Sequence, residues 1–127
     1  EESLLNKGAL SLVKMQHLKP HTGLITPGIL DVTTVVERTD EEYFGPLLQV
    51  IRTENFEKAI AEANNTSYGL SAGLISDDPE LYQRFAQTIR AGTISWNRPL
   101  TGASNQAPFG GIGHSGYLQQ ALPLSPY

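Results

Sequence analysis

From Leu47 to Trp96 the apolar residues change their spacing again and again, from short continuous runs to recurrence every three or four positions. Leu47-Leu48-Gln49-Val50-Ile51-Arg52 reads as a short, mostly buried strand. Phe56, Ala59, Ile60 and Ala63 then fall at i, i+3, i+4 and i+7, which is one apolar stripe of a helix. Thr53 suits its N-cap, Glu54 and Glu57 suit its positive start, and Lys58 can pair with Glu54 and Glu62. Asn64, Asn65 and Gly69 close that helix, and residues 70–75 form the next strand. Asp78-Pro79 is a helix start, an N-cap followed by proline at the first helical position. Leu81, Tyr82, Phe85, Ala86 and Ile89 make the second stripe, Gly92 stops it, and Thr93-Ile94-Ser95-Trp96 is a third strand. Strands that alternate with helices through short connections run parallel, with right-handed crossovers. The expected class is therefore α/β, with a parallel β-α-β-α-β segment at its centre.

The flanks carry weaker signals. Leu4-Leu5 fit the end of a helix. Residues 9–18 and 23–26 fit strands separated by Lys19-Pro20. Residues 31–38, rich in β-branched side chains, fit a strand or an extended connection. Residues 97–127 show no helical or strand period, and an irregular segment of that length is usually functional or depends on a partner surface. The chain begins at Glu1 rather than Met, which reads as a fragment or a processed product.

Composition excludes several functions. Net charge is -4 and the nine Lys and Arg residues are scattered, so no basic cluster is available to neutralise nucleic-acid phosphates or an anionic membrane. No apolar run reaches membrane-spanning length, and no signal-peptide layout is present, so a cytoplasmic location is expected. There is no cysteine, hence no disulfide, thiolate metal site or Cys nucleophile within these residues.

Several motifs could carry chemistry. Asp40-Glu41-Glu42-Tyr43-Phe44-Gly45-Pro46 precedes a strand, and its local chemistry reads first as a turn. A ribose clamp is the functional alternative: a carboxylate accepts two hydrogen bonds from a vicinal diol while an aromatic face packs on a planar ring. Asn97-Arg98-Pro99-Leu100-Thr101-Gly102-Ala103-Ser104 follows the third strand, where open α/β sheets place ligands. Its small residues can expose backbone N–H groups to a carboxylate, with an ordinary surface loop as the alternative. Gly111-Ile112-Gly113-His114-Ser115-Gly116 matches G-x-G-x-x-G, but no strand precedes it and no acidic residue follows it, so a dinucleotide fingerprint is rejected. His17 and His21 stand four apart across Lys19-Pro20 with no carboxylate to complete a metal set, and they read as surface histidines. Asn64-Asn65-Thr66-Ser67 contains glycosylation sequons, which matter only in a secreted chain. Trp96, at a strand end, reads as core or pocket wall.

Taken in order, three stretches are far more specific than any alone: Glu42-Tyr43-Phe44-Gly45-Pro46, Asn64-Asn65-Thr66-Ser67-Tyr68-Gly69-Leu70-Ser71-Ala72-Gly73, and Pro108-Phe109-Gly110-Gly111 with Ser115-Gly116. Together they resemble the aldehyde dehydrogenase superfamily over roughly residues 23–116. The resemblance implies that Glu42 hydrogen-bonds the nicotinamide ribose hydroxyls of NAD or NADP and that Phe44 contacts the nicotinamide. It also implies that residues 1–116 are the C-terminal half of a catalytic domain and 117–127 an atypical tail. The run from Trp96 to Ser104, with Gly113 where many relatives carry lysine, is similar to the branch that oxidises succinylglutamic semialdehyde in bacterial arginine degradation. By that likeness Gly102, Ala103 and Ser104 hold the distant carboxylate of a semialdehyde substrate, with Arg98 a secondary candidate.

The resemblance implies oxidation of an aldehyde to an acid: a thiolate adds to the aldehyde, hydride leaves for the nicotinamide, and water hydrolyses the thioester. The family's cysteine, general-base glutamate and cofactor domain precede the matching region, so these 127 residues alone are expected to be inactive. A homo-oligomer is expected, since the family ends on a strand that pairs with a neighbouring subunit. Two alternatives stand beside this reading: a non-catalytic module that self-associates through exposed strands, and a related acyl-phosphate reductase.

Overall fold

A computed structural model describes residues 1–101 and 110–116. The chain forms two compact units, residues 1–56 and 57–127, and each is described by itself.

The first unit opens with α1 (Glu2–Asn6), followed by β1 (Leu10–Val13), β2 (Gly28–Asp31) and β3 (Leu47–Val50). Gly8, at φ +95, ends α1 in the left-handed region, and the amide of Ala9 returns to the Leu4 carbonyl at 3.0 Å. The sheet order is β1-β2-β3, with β2 antiparallel to β1 and parallel to β3. Leu4, Ala9, Leu30, Val32 and Val35 form the buried cluster, and Leu5, Tyr43 and Leu47 pack against it. The sheet thus reads as a buried centre with β1 exposed at its edge.

Asp31 is the one charged residue among the buried ones described, at 8% exposure. Burying a carboxylate is costly unless its lone pairs are taken up. Here the Thr33 hydroxyl donates at 2.6 Å, the Thr33 amide at 3.0 Å and the Arg52 Nε at 2.7 Å. The Thr33 hydroxyl in turn accepts the Arg52 amide at 2.8 Å. These bonds, the Thr33 hydroxyl foremost and then the Arg52 guanidinium, lower the Asp31 carboxyl to about 2 from 3.8.

The second unit holds α2 (Phe56–Ala63), β4 (Ser71–Leu74), α3 (Pro79–Thr88), β5 (Thr93–Trp96) and a short 3-10 turn, Gly113–Ser115. β4 and β5 pair in parallel, from Ser71 with Thr93 to Leu74 with Trp96. α3 starts as its sequence requires: the Asp78 carboxylate accepts the amides of Glu80 at 2.8 Å and Leu81 at 3.1 Å, with Pro79 behind it. Phe85 and Ile89 are buried, and Tyr82 stacks on Trp96 with centroids 4.8 Å apart.

The α/β class with parallel pairing is as expected, but four details differ. β3 pairs with β2, and β4 with β5, in separate sheets rather than one run of three; alternation dictates strand direction, not neighbours. Of the two readings of residues 31–38, strand or extended connection, the second holds beyond Asp31, where β2 (Gly28–Asp31) ends, and residues 9–18 and 23–26 yield only β1 and a bridge between His17 and Ile25. Thr53 does not cap α2, which begins three residues later; its hydroxyl bonds the Asn55 carbonyl instead. α3 ends at Ile89 in extended backbone, so Gly92 is not its stop signal.

A carboxyl with a lowered folded-state pKa contributes stability above its unfolded value and loses that contribution as pH falls through the folded one. The chain's melting temperature is therefore expected to drop as pH falls from 3.8 towards about 2. Asp31→Asn should flatten that part of the profile while lowering stability at neutral pH. An unchanged slope in thermal melts of the variant would show that the network does not govern acid sensitivity.

Candidate functional site

The connection between β2 and β3, residues 32–46, must run the length of the sheet, because parallel neighbours cannot be joined by a tight turn. It is tied down along its course. The Arg38 Nη1 donates to the carbonyls of Val32 at 3.2 Å and Val35 at 3.0 Å, and Lys7 reaches the Glu37 carbonyl at 3.0 Å. At its end, the Leu47 amide bonds the Gly45 carbonyl at 2.8 Å and the Gly28 amide bonds the Pro46 carbonyl at 2.9 Å.

Glu42 and Phe44 both lie on this connection and are exposed, Phe44 at 94%, while Tyr43 between them is half-buried. No described residue hydrogen-bonds or ion-pairs with the Glu42 carboxylate. An open carboxylate two residues from an uncovered aromatic ring fits a ligand that offers hydroxyls beside a planar ring.

Arg98 is exposed just beyond β5. Gly102, Ala103 and Ser104 lie outside the described residues, as do Pro108 and Phe109. The turn leading to them is built with care. Asn97 sits at φ +50, a left-handed conformation that asparagine tolerates. Its side-chain Oδ1 accepts the Ser76 amide at 3.0 Å and its Nδ2 donates to the Ser76 carbonyl at 2.8 Å. The Trp96 Nε1 shares that carbonyl at 2.9 Å. The Ser71 hydroxyl bonds the Leu100 carbonyl at 3.3 Å.

Residues 110–116 pack against Ser67 and Gly69. The His114 amide donates to the Ser67 carbonyl at 2.8 Å, the Ile112 amide to the Gly69 carbonyl at 2.9 Å, and the Ser115 hydroxyl accepts the Gly69 amide at 3.1 Å. Tyr68 meets the His114 ring edge-on at 5.6 Å. Gly113, at φ +58, has the Ser67 carbonyl where a Cβ would stand. The G-x-G-x-x-G spacing here serves close backbone approach. Of the other motif residues, Asn64 is engaged: its amide donates to the Thr88 carbonyl at 2.9 Å and accepts the Arg90 amide at 2.7 Å. His17 lies on an isolated bridge and His21 in a turn at φ +58. Among the described residues no His, Asp and Glu cluster could hold a metal, and no helix is long and apolar enough to cross a membrane.

Sequence reasoning missed the Asp31–Thr33–Arg52 network, the Asn97–Ser76 pair and the Ser115 contact. The first had a signal, an aspartate inside the apolar run Ile29-Leu30-Asp31-Val32. The other two join residues distant in the chain and had none.

The aldehyde dehydrogenase family model matches residues 2–123. The chain belongs to the aldehyde dehydrogenase family. It is 55% identical over 116 residues to an N-succinylglutamate 5-semialdehyde dehydrogenase of Paraburkholderia xenovorans, covering 91% of this chain and 24% of that relative. It is similar to the crystal structure of a salicylaldehyde dehydrogenase from Pseudomonas putida G7 complexed with salicylaldehyde, at 30% identity and a TM-score of 0.79, over 94% of this chain and 24% of that one. An NADP-dependent glyceraldehyde-3-phosphate dehydrogenase from Bacillus halodurans C-125, complexed with NADP, matches at 28% identity and a TM-score of 0.76, over 91% of this chain and 25% of that one. The chain thus spans about a quarter of the length of these relatives.

In this aldehyde dehydrogenase segment Gly92 has a clear steric reason: a Cβ there would stand 1.7 Å from the Gly110 carbonyl oxygen. Gly92→Ala should therefore destabilise the chain by roughly 1–3 kcal/mol through forced backbone displacement. Gly23→Ala is the control, since a Cβ at Gly23 meets nothing within 4 Å. Urea midpoints that fall equally for both would refute the close approach of residues 92 and 110.

Proposed function

We propose that this chain is part of a longer NAD- or NADP-dependent aldehyde dehydrogenase that oxidises N-succinylglutamate 5-semialdehyde to N-succinylglutamate, a step of arginine degradation. The observation that carries the substrate is the 55% identity to the Paraburkholderia xenovorans relative of that name. In this reading residues 1–116 form the C-terminal half of the catalytic domain and residues 117–127 a tail. The complete enzyme is a cytoplasmic homo-oligomer.

The nucleotide, when bound, supplies the hydride acceptor. Glu42 would accept hydrogen bonds from the ribose hydroxyls and Phe44 would contact the nicotinamide; the open carboxylate and the uncovered ring support this assignment. Gly102, Ala103 and Ser104 are assigned to the substrate's far carboxylate, which backbone N–H groups and a hydroxyl can hold, with Arg98 a secondary candidate. That grip orients the aldehyde carbon toward the nucleophile. The nucleophile comes from outside these residues, which contain no cysteine.

In the complete enzyme, Glu42→Gln removes a charge-assisted acceptor and should weaken cofactor binding by roughly tenfold. Titration of NAD and of NADP measures this, and wild-type affinity for both would return residues 40–46 to the role of a turn.

Substrate choice has its own test. Gly102→Val should lower kcat/KM for succinylglutamic semialdehyde more than for a neutral aldehyde of similar length, because only the acidic substrate uses the crowded N–H groups. Equal losses on both would show that the loop does not read the carboxylate.

A further inference from the structure

We infer that Tyr43 is a positioning residue that sets Glu42 and Phe44 on the outward side of the connection between β2 and β3. This rests on the assignment of Glu42 and Phe44 to the cofactor. Exposure alternates across the three positions: Glu42 exposed, Tyr43 half-buried, Phe44 exposed at 94%. The Tyr43 side chain packs against the buried cluster of Leu4, Ala9, Leu30, Val32 and Val35. Its hydroxyl lies 3.3 Å from the Thr39 Oγ1, four residues earlier in the same connection.

Before this stretch, Arg38 fastens the chain to Val32 and Val35; after it, Gly45 and Pro46 are fastened to Leu47 and Gly28. Among the described residues, the tether of residues 41–44 is Tyr43 itself. With its ring packed against the core, the side chains on either side of it are left exposed. The ring covers the edge of that cluster, while the hydroxyl at its exposed end meets Thr39. Without the ring, Glu42 and Phe44 keep their chemistry but lose their common direction, and misplacement of that kind weakens binding steeply.

The test uses the complete enzyme, with Tyr43→Phe, Tyr43→Leu, Tyr43→Ala and Glu42→Gln compared by calorimetric titration of NAD and of NADP, melting temperature, and KM for cofactor and for aldehyde. Tyr43→Ala should raise the Kd and KM for the cofactor roughly tenfold while the KM for aldehyde stays near wild type. Tyr43→Phe, which keeps the packed ring, should restore most of the affinity, and Tyr43→Leu should fall between the two. If Tyr43→Ala does not melt cooperatively, the leucine variant decides: weaker cofactor binding than Tyr43→Phe supports the role. Wild-type cofactor affinity in the folded alanine or leucine variant, with Glu42→Gln impaired, overturns the positioning role alone. Wild-type affinity in Glu42→Gln overturns the cofactor assignment on which it rests.

Discussion

Four residue pairs, from Gly28 with Leu47 to Asp31 with Val50, join β2 to β3 in parallel, and the first unit is arranged around that ladder. Parallel pairing forces a long return path, and this is why residues 32–46 exist as an outlying arm. The arm brings Val32 and Val35 down onto Leu30 and carries Glu42 and Phe44 out to solvent. At the far end of the ladder, Asp31 accepts from Thr33 and Arg52, so the end of β2 is tied to the residues just beyond β3. A buried carboxylate with one hydroxyl, one amide and one guanidinium donor is a directional constraint that apolar packing cannot supply.

The second unit depends on backbone proximity instead. A Cβ at Gly69, Gly92 or Gly113 would collide with Ile112, Gly110 or Ser67 respectively, and Gly111 and Gly116 are crowded within their own turn. Residues 110–116 are thereby laid against Ser67 and Gly69, with the Ser115 hydroxyl completing the contact. At the end of β5, Asn97 and Trp96 both bond Ser76, which sets where the chain departs toward Arg98 and Leu100.

Local chemistry was legible at the start of α3, where one short stretch holds both partners of the cap. Asp78-Pro79 names the start of α3 because the carboxylate reaches amides two and three residues on. The α2 stripe was equally plain, yet its start was not, since Thr53 turns to Asn55 and never reaches the helix. β2 was not read from the sequence because Asp31 interrupts its short apolar run; the partners of Asp31, Thr33 and Arg52, close over it only once β3 lies alongside. Gly92 looked like a helix stop, but its reason is the Gly110 carbonyl, eighteen positions away in the chain.

The sequence by itself determined the class of the fold, the start of α3, the family likeness carried by three motifs, and the absence of a thiol from these residues. All of these rest on residue identity and near-neighbour spacing. Which strands pair, which of residues 42–44 face out, and why Gly69, Gly92 and Gly113 stand where they do were decided only by tertiary structure. Each depends on atoms far apart in the chain meeting at van der Waals or hydrogen-bond distance, and no local pattern encodes that meeting.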